Sequence, residues 1–135
     1  MELLEKYQLE LAQDVRVDEI NLTDTAYKLP ALKHKWVARL INAKIELNKL
    51  EKQRSSLKES VLNKLQQSTE GRLSKIALSK SVDDSDEFID FKKKLDDRIE
   101  ENKMIILYLE KAENIFKNMT YDLKNIIDLN KLETT

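Results

Sequence analysis

Between residues 36 and 61, apolar side chains recur at alternating steps of four and three: Trp36, Leu40, Ala43, Leu47, Leu50, Leu57 and Val61, with Arg54 as the one interruption. This spacing holds them on one stripe of an α-helix and predicts a heptad seam of about four repeats. A second seam runs through Phe91, Leu95, Arg98, Asn102, Ile105, Leu109, Ala112, Phe116, Met119, Leu123 and Ile126. Ile99, Ile106, Ile115 and Ile127 widen its apolar face beyond what one antiparallel partner helix covers. Part of that face is therefore expected to pack against other subunits. Asn102 lies inside the seam, where a single polar side chain can set register or oligomer state.

Capping and breaking residues divide the rest of the chain. Leu3, Leu4, Tyr7, Leu9 and Leu11 stand among Glu2, Glu5, Lys6 and Glu10, which predicts a short amphipathic helix. Residues Asp14 to Glu19 read as an extended connector, and Thr23 or Asp24 can cap the turn that follows. Pro30 disfavours helical geometry at Leu29 but suits a first helical turn, so the long central helix is expected to start at Pro30. No further breaker occurs before Gly71. Ser68 to Arg72 read as a turn, and the serine-rich run to Ser85 has no sustained periodicity. Helix is expected to resume with Asp84 at the cap and Glu87 three residues on.

One glycine and one proline, with 36% charged and 41% apolar residues, agree with an all-α chain of long helices with heptad character, a helical hairpin or coiled coil. The length suits a single helical domain over 1–135. Its expected parts are an acidic N-terminal helix and connector (1–22), a basic central helix region (23–67), a flexible turn and linker (68–84) and a C-terminal oligomerisation helix (85–133).

Charge changes the picture most. The formal net charge is −1, yet residues 1–27 hold seven acids and two bases, residues 28–80 thirteen bases and four acids, and residues 81–135 fourteen acids and nine bases. A basic middle between acidic ends suits contact with a polyanion, the flanks limiting indiscriminate association. The alternative is a solvated basic face neutralised in part by the acidic helix beside it.

Candidate chemistry narrows the function classes. With no cysteine and one histidine, a disulfide scaffold, a cysteine nucleophile and the usual zinc sets are excluded. A single glycine leaves no phosphate-binding loop. The group Asp83, Asp84, Asp86, Glu87 and Asp90 lacks the spacing of a calcium loop and reads as helix capping. Asp96, Asp97, Glu100 and Glu101 have no histidine or nucleophile beside them. Neither cofactor, metal nor catalytic residue is expected, and the chain reads as a non-enzyme. The longest apolar run, Met104 to Leu109, is too short for a membrane span, and Met1, Glu2, Leu3, Leu4 and Glu5 lack the basic-then-apolar order expected of a signal peptide. Trp36 sits on the seam and reads as core rather than as a base-stacking platform.

In layout, the chain resembles the UvsY family of recombination mediators of T-even-type bacteriophages. Glu10, Leu11, Asp14, Val17 and Asp18 carry the first part of the likeness, and Leu29, Pro30, Leu32, Lys35 and Trp36 the second. Lys44, Glu46, Leu47, Leu50, Glu51, Leu57 and Lys58 continue it, followed by Gly71 and Arg72. Leu95, Ile99, Ile106, Tyr108, Phe116, Tyr121, Leu123, Lys124, Asn125 and Ile126 match the family's closing pattern.

The resemblance implies an all-helical protein that forms a ring-like homo-oligomer, a hexamer or heptamer. It implies binding of single-stranded DNA and loading of a RecA-like recombinase onto DNA coated by single-strand-binding protein, in the cytoplasm of the infected bacterial host. Lys58 matches the lysine of the family's short basic motif, but Glu59 and Ser60 follow it here, and Leu65, Gln66 and Gln67 stand where the family often has a tyrosine pair. Lys64 and Arg72 are expected to take over the charge, which makes DNA binding more purely electrostatic.

The expected DNA-binding residues are Lys33, Lys35, Arg54, Lys58, Lys64, Arg72 and Lys75. The expected oligomerisation residues are Phe91, Leu95, Ile99, Asn102, Ile105, Ile106, Leu109, Phe116, Leu123 and Ile126. The alternative function is a coiled-coil scaffold or assembly factor that binds protein partners without nucleic acid.

Overall fold

The computed structural model describes residues 2–68 and 86–134, and these described residues form three helices: α1 (Glu2–Asp14), α2 (Leu22–Ser68) and α3 (Asp86–Thr134). Gly71, Arg72, Lys75, the Asp84 cap, the side chains of Lys58 and Glu87, and the expected linker beyond Ser68 lie outside the described residues. The all-α expectation holds. Among the described residues no helix is long and apolar enough to cross a membrane.

The expected start of the central helix at Pro30 is corrected: α2 begins at Leu22 and carries Pro30 in its interior. Proline there removes the donor to the Ala26 carbonyl and crowds that turn, at a cost of about 3 kcal/mol. The turns ahead of it are held by other bonds. Asn21, rather than Thr23 or Asp24, is the cap, its Oδ1 accepting from the Asp24 backbone N–H at 3.0 Å. Asp18 Oδ1 accepts from the N–H groups of Ile20 (3.0 Å) and Asn21 (3.2 Å), which fixes the approach to the helix. Thr25 is buried; its hydroxyl donates to the Asn21 carbonyl at 3.3 Å and accepts from the Asp18 N–H at 3.2 Å. Leu29, immediately before the proline, is buried in the core. Burying a leucine is worth roughly 1.5–3 kcal/mol, which offsets much of the proline's cost.

The chain packs as two compact units, each built from both long helices. The first combines Met1–Ala43 with Met104–Thr135. Its core joins Leu11, Leu29, Trp36 and Leu40 to the α3 seam residues Ile105, Leu109, Ala112, Phe116, Met119 and Leu123. Trp36 lies near its centre, edge-on to Tyr7 (centroids 5.7 Å apart, planes at 75°) and stacked on Phe116 (6.5 Å, 30°). Aromatic contacts of this kind add to the area term of burial.

The second unit is Lys44–Lys103. Leu50, Phe88 and Ile99 are buried in it. Arg54 Nε meets Asp96 Oδ1 at 2.8 Å, and Arg98 approaches Glu46 at 3.7 Å, both pairs joining α2 to α3. These pairs are exposed enough that each contributes no more than about 1 kcal/mol.

Candidate nucleic-acid interface

The cations of α2 divide by what surrounds them. Lys28 pairs with Asp24 at 2.9 Å one helical turn away, and that hydrogen bond, then the charge behind it, raises the lysine's pKa above its ordinary value. Arg39 is paired with Glu10 of α1, and its guanidinium lies 4.8 Å from the Tyr7 ring centroid and 4.7 Å from that of Trp36. Lys35 is paired with Asp14, which also accepts from Trp36 Nε1 at 2.9 Å. The acidic N-terminal helix therefore takes up two of the nearest positive charges through charge-assisted bonds and cation–π contacts.

In the second unit the pattern changes. Arg54 occupies a seam position and faces α3, where it meets Asp96. Lys49, Lys52 and Lys64 lie off the seam and are exposed, and none makes an ion pair with a described residue. At 100° per residue these three fall within an arc of roughly 120°, with Ser56 and Ser60 between them. Glu59 flanks that face beside Lys52, and together they line a shallow depression with Ser55 and Ser56. Such a face can track a phosphodiester backbone through point charges, and no exposed aromatic interrupts it.

The expected DNA-binding residues are thus distributed rather than gathered. Lys33 and Lys35 stand in the first unit, Lys33 half-buried at the rim of a cavity and Lys35 bound to Asp14. Arg54 and Lys64 stand in the second, one ion-paired and one open to solvent. Lys49 and Lys52 complete the open face without belonging to the expected set. Their signal in the sequence was position: lysines off the heptad seam face water, whereas Arg54 on it faces the partner helix.

The expected assembly residues divide as well. Ile105, Leu109, Phe116 and Leu123 are buried in the first unit's own core, and Ile99 is buried in the second. Leu95, Asn102 and Ile106 are half-buried, Ile106 packing on the first unit's core. Phe91 and Ile126 remain exposed. Other apolar side chains left in water include Val37, Ile41 and Ile45, which follow one another at steps of four along α2. Sequence periodicity identifies a buried stripe but does not say which chain covers it.

The family described as "Recombination, repair and ssDNA binding protein UvsY" matches residues 10–135. Among solved structures, the bacteriophage T4 recombination mediator protein UvsY has the same fold, with a TM-score of 0.71 at 22% sequence identity, covering 96% of this chain and 98% of that one. Curated protein sequences give no match.

Proposed function

From the chain's membership of the UvsY family, we propose that it is a non-enzymatic recombination mediator that binds single-stranded DNA in the cytoplasm of an infected bacterial host. The observation that carries the reading is the open lysine face of α2, Lys49, Lys52 and Lys64, in a chain whose other basic side chains are partly tied to carboxylates. Lys58, Arg72 and Lys75 add positive charge to the same stretch of sequence. Assembly into a homo-oligomer multiplies a weak electrostatic site by the number of subunits, giving avidity without a strong individual site. Several copies on one strand present it to a RecA-like recombinase and promote loading of that recombinase onto DNA coated by single-strand-binding protein. Phe91 and Ile126, with the exposed stripe of α2, supply apolar surface for that assembly.

Salt titration of oligonucleotide binding tests the reading. The logarithm of the affinity is expected to fall by about 0.7 per log unit of salt for each phosphate neutralised. Reversing Lys49, Lys52 and Lys64 to glutamate is expected to abolish binding at moderate salt while leaving the oligomer mass unchanged. Binding that ignores salt, or survives the reversal, refutes the site.

The second reading, a coiled-coil scaffold for protein partners, draws on the Arg39–Glu10 and Arg54–Asp96 pairs, which neutralise part of the basic helix from within. Native mass spectrometry with and without single-stranded DNA separates the two, because only the mediator gains the mass of the strand.

A further inference from the structure

Helix α3 belongs to the acidic part of the chain, yet one stripe of it is basic. Lys117, Lys124 and Lys131 follow at intervals of seven, about 10 Å apart along the helix, and Tyr121 shares their face. Across from them on α2 stands Lys33, which lines two cavities of the first unit. The larger, about 510 Å³, has an apolar floor that includes Leu29, Pro30 and Ile127, and Lys124 and Lys131 at its edge. The smaller, about 350 Å³, adds Lys117. Against these four lysines, of which Lys131 has a partner of its own, the same walls carry two carboxylates, Glu113 and Asp128. Although they stand four residues from Lys117 and Lys124 respectively, neither lysine is ion-paired with a described residue, and the same holds for Lys33.

The aromatic ring on this stripe is exposed in the single chain. Tyr121 is 63% exposed, whereas Trp36 and Phe116 are each 1% exposed and cannot offer a face to a ligand. Tyr27 is also open, but the lysine beside it, Lys28, is bound to Asp24. Tyr121 lines neither cavity, but it follows Lys117 by four residues and precedes Lys124 by three, so an exposed ring stands one helical turn from two lysines of the cavity walls. Together they offer what a single-stranded nucleic acid requires: cations for phosphates and a flat surface for an unpaired base.

We propose that this groove is a second contact surface for single-stranded nucleic acid, with Lys33, Lys117 and Lys124 on the phosphates and Tyr121 stacked on a base. The inference rests on the single-stranded DNA reading above, and it locates base stacking on α3 rather than at the end of α2, where Leu65, Gln66 and Gln67 offer no ring.

Anisotropy titrations with a labelled oligodeoxythymidine test it in the full chain. Tyr121→Ala is expected to weaken binding by about tenfold, in the range of a lost base–aromatic stack, and Tyr121→Phe to retain it. On an abasic strand of the same length the alanine penalty is expected to vanish, because no base remains to stack. The double variant Lys117→Ala/Lys124→Ala is expected to lower the salt slope by about 1.4.

If both variants bind as the parent does while the Lys49, Lys52 and Lys64 reversal abolishes binding, the groove proposal is overturned and the mediator reading stands; the groove is then free for another occupant, such as an acidic peptide. An alanine penalty that persists unchanged on the abasic strand also overturns it. A parent chain that binds no single-stranded DNA at low salt removes both readings together.

Discussion

Asp14 shows how much one side chain at the end of α1 can organise. It accepts from Trp36 Nε1 and pairs with Lys35, tying the first helix to the second through one carboxylate. Asp14→Asn keeps an oxygen for the indole but loses the charge that holds the lysine, and is expected to cost about 1–2 kcal/mol in urea denaturation. Tyr108 offers a pH test at the same scale. Burial raises its hydroxyl pKa above the ordinary tyrosine value of about 10. The unfolded chain therefore ionises first, so the stability that the neutral phenol contributes is present below pH 10 and lost as pH rises through and above it. The Lys28 shift has the same sign in the same range, also being a raised value. Tyr108→Phe is expected to flatten, but not abolish, the fall in stability measured between about pH 9 and 11. Trp36 itself was legible in advance, because its place on the seam marks it as core. Its bond to Asp14 was not, since a separation of 22 residues is invisible to any local pattern.

At the scale of the helix, Pro30 is the informative residue. Local rules place a boundary there, and they fail because the preceding turns are anchored by Asn21, by the Thr25 hydroxyl and by the burial of Leu29. Asn21 with Asp24 three residues on resembles a capping box, so a cap at Asn21 is legible in the sequence, although Pro30 signals a later start. Pro30→Ala restores a donor to the Ala26 carbonyl. It is expected to raise stability by roughly 2 kcal/mol by urea denaturation, the interior cost of proline less its restriction of the unfolded chain. A neutral or destabilising result indicates that the ring's packing at the α2–α3 groove outweighs the recovered hydrogen bond.

For the molecule as a whole, the question is which apolar surface the fold leaves uncovered. Most of the α3 seam is consumed inside the chain, whereas Ile41 and Ile45 are 52% and 62% exposed, one turn apart on α2. Exposed branched side chains in sequence along one face are candidates for contact with further copies. Ile41→Asp with Ile45→Asp is expected to lower the oligomer mass in native mass spectrometry while leaving helicity unchanged in circular dichroism. An unchanged mass assigns assembly to other surfaces, Phe91 and Ile126 among them.

What the sequence determined by itself was the set of long helices, because heptad spacing and the near absence of glycine and proline are properties of neighbouring residues. It also determined the segregation of charge, which needs only counting. Tertiary structure alone decided the partners: which basic side chains face the acids of α1 and α3, which stand open as Lys49, Lys52 and Lys64 do, and which seam residues the chain buries against itself. The physical reason is that a helical pattern specifies a face and not its occupant. Ion pairing and burial depend on what the fold brings opposite that face, over separations from 22 residues to the length of both long helices.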